Sequence, residues 1–241
     1  MSNKKKIKSV NKEKNQIPYF DYIFLIPGRQ FSHNFLMCWT NTVNYLIQNN
    51  KSFFYSFKYS PLISNLRNEM ILSSYSEGLI PPKLSTLKKA IPFQGTVKAK
   101  KIILIDSDMV WSVEDLVKIL ESPHDIAVGP YVLTDPDFSS VKTLEGKTFI
   151  PTSEILSKKE PFPIYEAGLG FTAINFNIFE EISYPWFAAL DFSTSHEGEE
   201  YANAIGEDVF FFRKVHEHGG FSVVADPTII LGHEKSRIIG F

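Results

Sequence analysis

KIILIDSDMVW, residues 101–111, decides the fold. Lys101 to Ile105 is apolar without alternation, the pattern of a strand covered on both faces, as in the parallel sheets of α/β proteins. Ser112 with Asp115 three residues on forms a capping-box start for a helix carrying Val113, Leu116, Val117 and Leu120. Pro123 ends that helix, and Asp125 to Gly129 supplies the next strand. The stretch is therefore the centre of a strand-helix-strand unit.

Upstream the same grammar appears twice more. Tyr22 to Ile26 is a strand stopped by Pro27 and Gly28, and Leu36, Trp39, Val43, Leu46 and Ile47 recur at helical spacing up to Asn49 and Asn50. Ser52 to Phe57 reads as a strand, and Ser60 with Pro61 as the cap and first residue of a helix running through Arg67 to about Leu72. Glu77 to Lys100 is polar and proline-bearing, an irregular excursion. Three such units in succession imply an α/β single-domain sandwich of Rossmann-like αβα type around a mostly parallel central sheet, with right-handed crossovers.

Downstream the pattern loosens. Asp135 to Pro163 is turn-rich, Gly170 to Asn175 reads as a strand and Ile178 to Ile182 as a short helix. Glu207 to His218 reads as a helix closed by Gly219 and Gly220, and Ser222 to Ala225 and Thr228 to Leu231 as late strands. The divided reading is a Lys-rich disordered tail over 1–20 and one domain over 21–241.

Composition sets the outer limits. With 44% hydrophobic residues among 241, the chain can bury a large core. A net charge of −2 leaves no global positive field for nucleic acid, so any such contact needs a local patch. The tail bearing Lys4, Lys5, Lys6, Lys8, Lys12 and Lys14 has no apolar run behind it and reads as a solvated arm, not a secretory signal. One cysteine, Cys38, excludes a disulfide framework and suits a reducing, cytoplasmic setting. The longest apolar runs are strand-length, so no transmembrane segment is expected.

The chemistry concentrates at strand ends. Asp106 and Asp108, two apart on an extended chain, would face one hard cation, Mg²⁺ or Mn²⁺, at the carboxyl edge where open α/β sheets bind ligands. A nucleotide diphosphate is the matching guest; a plain turn is the rival reading. Glu207 and Asp208 open a helix, where acidic residues are stabilised by the dipole, and one of them is a candidate base. His233, just past a strand-like run, could join the metal, and Lys235 could meet a phosphate oxygen. Pro27 and Gly28 leave backbone open at the first strand's end, and Arg29 offers a fork for phosphate. No dinucleotide or P-loop glycine pattern is present.

Taken in order, IPGRQFSHNFLMCW, ISNLRNEM, IDSDMVW, SPHDIAVGPY, EAGLGFTAINFNIFEEISYPWF, GEDVFFF and DPTIILGHEK resemble the GT-A-fold glycosyltransferases of the broad family-2-like group, and small phage and viral members in particular. The resemblance spans about Asp21 to Lys235. It implies Asp106 and Asp108 as the DxD pair holding a divalent metal on the donor diphosphate, with Ser107 between them, His233 joining the metal and Lys235 on the diphosphate. It implies Pro27, Gly28, Arg29 and Arg67 around the nucleotide-sugar donor, and Gly168 to Phe171 flanking donor sugar and acceptor. Glu207 and Asp208 match the acidic pair supplying the base in inverting members, with Asp208 favoured. The helix continues as FFFRKVHEHGG without a QxxRW sequence, so processive synthesis is not expected. The acceptor would be met by Asp135 to Pro163, by Trp186 to Tyr201 or by a partner, with HEGEEYANAI as a candidate lid.

Two other functions stay open. Asp106 to Val110 also fits DxDx[TV] of haloacid-dehalogenase-type phosphatases, with Asp106 as nucleophile, although two strand-helix units precede it and the poorly strand-like YANA precedes Glu207. A non-catalytic nucleotide-binding module is the third reading. Sugar, nucleotide, acceptor (glycan, protein or a modified DNA base) and oligomeric state are not readable from the residues.

Overall fold

A computed structural model describes residues 16–73, 90–144, 148–196 and 199–235, with backbone alone for 190–196 and 199–203. The tail lysines, Pro81 and Pro82 lie outside the described residues.

The first half alternates as the periodicity predicts. β1 (Tyr19–Pro27), α1 (His33–Gln48), β2 (Phe53–Lys58) and α2 (Ile63–Leu72) are followed by a 3-10 turn at Pro92–Gly95, then β3 (Lys98–Ile105), β4 (Met109–Val110), α3 (Val113–Glu121) and β5 (Ile126–Val128). Ser32 caps α1 by accepting the Phe35 N–H, and Ser112 with Asp115 closes the expected capping box on α3. The start of α2 differs from expectation. Its N-cap is Leu62, without a side-chain cap, because Ser60 Oγ instead accepts the Leu62 N–H at 3.2 Å and holds Pro61 in a bend before the helix.

The turn-rich middle contains short ordered pieces: β6 (Phe138–Lys142), β7 (Phe149–Pro151), α4 (Thr152–Ser157), β8 (Phe162–Pro163) and β9 (Glu166–Ala167). Then come β10 (Phe171–Asn175), α5 (Ile178–Glu181), the hairpin of β11 (Leu190–His196) and β12 (Glu199–Ala204), α6 (Glu207–His218), β13 (Val223–Ala225) and β14 (Gly232–His233). Tyr201 to Ala204 is thus strand, against expectation, but in a separate two-stranded sheet rather than the central one. Thr228 to Leu231 is not strand. Asp226 Oδ1 accepts the Thr228 N–H and hydroxyl, and the Ile230 N–H donates to Asp115 Oδ1, so local side-chain bonds replace ladder pairing.

The central sheet has seven strands in the order β2-β1-β3-β10-β5-β13-β8. It is mixed. β1 pairs parallel with β2 and β3, and β13 with β5, while β10 lies antiparallel between β3 and β5 and β8 is antiparallel to β13. Five strands therefore share one direction and two oppose it. The antiparallel β10 is invisible in its composition, because a strand buried on both faces has the same residues in either direction.

Alternate residues of β1 and β3 feed two cores. Ile23, Leu25, Ile102 and Leu104 meet Leu66 and Met70 of α2, Phe179 of α5 and Phe211, Phe212 and Val215 of α6. Tyr22, Phe24, Ile26, Ile103 and Ile105 meet Phe35, Cys38 and Leu46 of α1 and Leu116 and Ile119 of α3. Helices thus cover both faces and leave the strand ends to carry polar chemistry.

Candidate functional site at the end of β3

The Asp106–Asp108 segment leaves β3 as a tight turn, since the Met109 N–H donates back to Asp106 O at 3.1 Å. The extended-chain geometry expected for the two carboxylates is therefore absent, and they take different partners. Asp106 Oδ1 accepts Arg67 Nη2 at 2.7 Å, and Glu207 Oε1 accepts Arg67 Nη1 at 2.6 Å. Arg67 is only 2% exposed, and its Nε is buried with no hydrogen-bond partner among the described residues. Burial alone would lower its pKa, but the charges of Asp106 and Glu207 outweigh that and hold it above its ordinary value. Burial raises the Glu207 carboxyl above the usual carboxylate range, with Arg67 opposing the rise.

Asp108 faces the other way. Its Oδ2 lies 3.1 Å from His233 Nε2 and 3.0 Å from Lys235 Nζ, brought in by the antiparallel β4–β14 pair. His233 Nδ1 lies 2.8 Å from the Val132 carbonyl, which can only accept, so the proton sits on Nδ1. In a neutral ring the Nε2 lone pair then confronts a carboxylate oxygen. A proton or a cation must separate the two. A backbone carbonyl fixing one ring nitrogen is also how metal-binding histidines are oriented.

Among the described residues no three His, Cys, Asp or Glu side chains converge as a ligand group. Of the expected set, the structure brings Asp108 and His233 together and turns Asp106 to Arg67. Two protein donors suit Mg²⁺ or Mn²⁺, which keep waters and take substrate phosphates as remaining ligands.

Two glycines are required by close approach. A Cβ at Gly28 would lie 2.4 Å from the Ser107 Cβ, so Gly28 lets the β1 loop press on the aspartate turn. A Cβ at Gly168 would lie 2.0 Å from the Tyr131 hydroxyl, and the Tyr131 ring packs edge-on against His233 with centroids 4.8 Å apart. At the start of α6 the Val209 N–H donates to Asp208 Oδ1 at 2.8 Å, curling that carboxylate over its own helix end.

Two clefts meet at the aspartates. One, of about 420 Å³, is lined by Pro27, Gly28, Arg29 and Tyr59 together with Arg67, Asp106, Ser107, Asp108 and Glu207. Arg29 lies over the Tyr59 ring at 5.8 Å. The other, of about 600 Å³, shares Asp106 and Asp108 and adds Tyr131, Asp135, Phe138, Phe149, His233 and Lys235. Sequence reasoning did not single out Tyr59 or Tyr131, and it reached Phe138 and Phe149 only as part of the Asp135 to Pro163 stretch expected to meet the acceptor. Single aromatic residues carry no spacing signal, and only the folded strands assemble them.

No family model matches this chain, and no curated protein matches it either. Among solved structures the chain is similar to A197 from STIV. The two share 18% identity at a TM-score of 0.51, covering 89% of this chain and 86% of the other. That likeness is one of fold: an α/β architecture on a large mixed sheet. No helix among the described residues is long and apolar enough to cross a membrane.

Proposed function

We propose that the protein is a GT-A-type, metal-dependent glycosyltransferase moving a sugar from a nucleotide-sugar donor to an acceptor hydroxyl with inversion. The observation carrying this reading is the junction itself. A cleft built from the β1 loop and Arg67 meets a second cleft at Asp106 and Asp108, with His233 and Lys235 closing on Asp108.

The roles follow from chemistry. Pro27, Gly28 and Tyr59 offer backbone and ring to a nucleoside, and Arg29 and Lys235 offer positive charge to its diphosphate. Asp108 and His233 would hold Mg²⁺ or Mn²⁺, with Asp106 and Ser107 shaping the turn beside it. The metal supplies neutralisation of charge developing on the departing diphosphate. Arg67 fixes Asp106 and Glu207 with one N–H from each terminal nitrogen, which leaves further N–H donors on a guanidinium that lines the donor cleft. With Glu207 held by Arg67, Asp208 is the base. It turns from the Val209 N–H, takes the acceptor hydroxyl proton as the oxygen attacks the anomeric carbon, and the bond to diphosphate breaks.

The ion pair with Arg67 weighs against the phosphatase, because it engages Oδ1 of the carboxylate that would have to act as nucleophile. The test is thermal-shift and calorimetric titration with nucleoside diphosphates and nucleotide sugars, with and without Mn²⁺ or Mg²⁺. Metal-dependent binding and donor turnover should be present in the wild type and absent from Asp108→Ala, which should still fold. Asp208→Asn should bind nucleotide but not turn donor over. Metal-dependent binding retained in Asp108→Ala would remove the metal assignment, and phosphate release from p-nitrophenyl phosphate would favour the rival.

A further inference from the structure

The larger cleft carries information the donor side does not. Phe138 and Phe149, on the adjacent strands β6 and β7, are 40% and 42% exposed, and both line it. Tyr131 lines the same cleft, held from below by Gly168 and against His233. Rings left half open inside a concavity, rather than scattered on a convex surface, mark a place where a guest supplies the missing apolar contact.

The charges select among guests. Asp106, Asp108 and Asp135 line the cleft against Lys235, with His233 the other ionisable base. Lys142 lies over the Phe149 ring at 4.9 Å, but its ammonium is paired with Glu166. Asp106 is paired with Arg67 and Asp108 with Lys235, so among the described lining residues a phosphodiester chain would meet the Asp135 carboxylate and a single ammonium that is already engaged, and it would gain little from counterion release. A guest with an apolar face and many neutral hydroxyls needs no such gain. Its C–H face can lie on Phe138 or Phe149, while its hydroxyls donate to Asp135. The Asp135 backbone turn is fixed by its own bonds, Oδ1 accepting the Asp137 N–H at 3.1 Å and the carbonyl accepting the Phe138 N–H at 3.2 Å. A volume of about 600 Å³ is within the usual range for small-molecule sites.

From this we infer that the cleft lined by Tyr131, Asp135, Phe138 and Phe149 binds a neutral saccharide, so that the acceptor is a sugar hydroxyl rather than a base on a nucleic-acid strand. The word acceptor rests on the transferase reading; the saccharide site does not. Because the cleft shares Asp106 and Asp108 with the nucleotide side, a sugar bound there presents a hydroxyl at the junction of the two.

Saturation-transfer NMR on the full chain with maltotriose, cellotriose, chitotriose and mannotriose tests this directly. At least one should receive saturation, and Phe138→Ala and Phe149→Ala should each weaken its binding about tenfold, the scale of one lost ring contact. Thermal unfolding of each variant checks that it folds, and Asp135→Asn gives a milder second probe of the same wall. A high-mannose glycopeptide and its bare peptide separate a free glycan from one carried on protein. Absence of saccharide binding, or binding of a single-stranded oligodeoxynucleotide or the bare peptide that the phenylalanine variants abolish, overturns the inference. Nucleoside diphosphate titration in parallel keeps the two readings apart. Nucleotide without saccharide sinks only this inference, and saccharide without nucleotide sinks only the transferase.

Discussion

Arg67 answers to two carboxylates at once from a position closed to water, and the geometry is what makes it a clamp rather than a surface ion pair. Removing one partner of such a set leaves the others uncompensated. Arg67→Met, which keeps the volume, should therefore destabilise the protein by about 2 kcal/mol, below the 3–5 kcal/mol of a fully buried pair. The discount reflects solvent screening at Asp106 and Glu207, which are 31% and 19% exposed. Guanidinium denaturation measures it, and a loss under 0.5 kcal/mol, the ordinary surface scale, would show that the clamp does not hold the fold. The residue types were legible in the sequence, and Asp106, Asp108, His233 and Lys235 were singled out from it. Their partners were not: that Asp106 turns to Arg67 while Asp108 turns to His233 depends on the tight turn closed by Met109. Gly168 illustrates the same limit, since its need to be glycine comes from Tyr131, 37 positions earlier in the chain.

Lys101 shows how an element's end can be written into the strand beneath it. It opens the apolar stretch on β3, yet its ammonium is buried and donates to the Ser122 carbonyl at the end of α3, 2.5 Å away. Burial, with Lys100 adding repulsion, lowers its pKa to about 8. Between that value and the ordinary lysine value of about 10.4, the unfolded chain holds a proton that the folded chain has released. Stability therefore rises with pH across this window, and the penalty for charging the buried amine is fully present below about 8. Urea midpoints from pH 7 to 10.5 should climb more steeply for the wild type than for Lys101→Met. Parallel slopes would remove the assignment. At this scale periodicity predicted best where packing follows from one chain segment: α1, the capping box of α3 and the span of α6 lie where the spacing puts them, while β1 and β3 each begin three residues early, at Tyr19 and Lys98, because the two strands pair with each other from Tyr19 and Lys98 onward. It failed at Thr228 to Leu231, where the Asp226 and Asp115 carboxylates capture the backbone donors an apolar run would otherwise offer to a neighbour.

In the whole molecule, the strand order determines what opens first. β3 lies between β1 and β10 and has helices on both of its faces, whereas β11 and β12 pair only with each other. Amides of β3 should exchange with solvent near the rate of global unfolding, and those of β11 and β12 about 100-fold faster or more. Uniform protection would mean that the hairpin is as tightly bound into the cooperative unit as the sheet. The α/β class was legible from repeated strand-helix units, and the location of chemistry at strand ends followed from it. The direction of β10 and the meeting of two clefts were not, because both are decided by contacts between distant segments.

That distance also has a history in time. His233 and Lys235 follow Asp108 by 125 and 127 positions. At about 5–20 residues per second, a ribosome needs roughly 6 to 25 seconds to deliver them after the aspartate has emerged. Strands β1, β2 and β3 precede Asp108 and β10 is made within that interval, whereas α6 and β13, which complete the core and the central sheet, end only 15 and 8 positions before His233. The last helix, the last strand of the central sheet and both basic neighbours of Asp108 therefore leave the ribosome almost together, so shape and chemistry are completed in the same final stretch of synthesis.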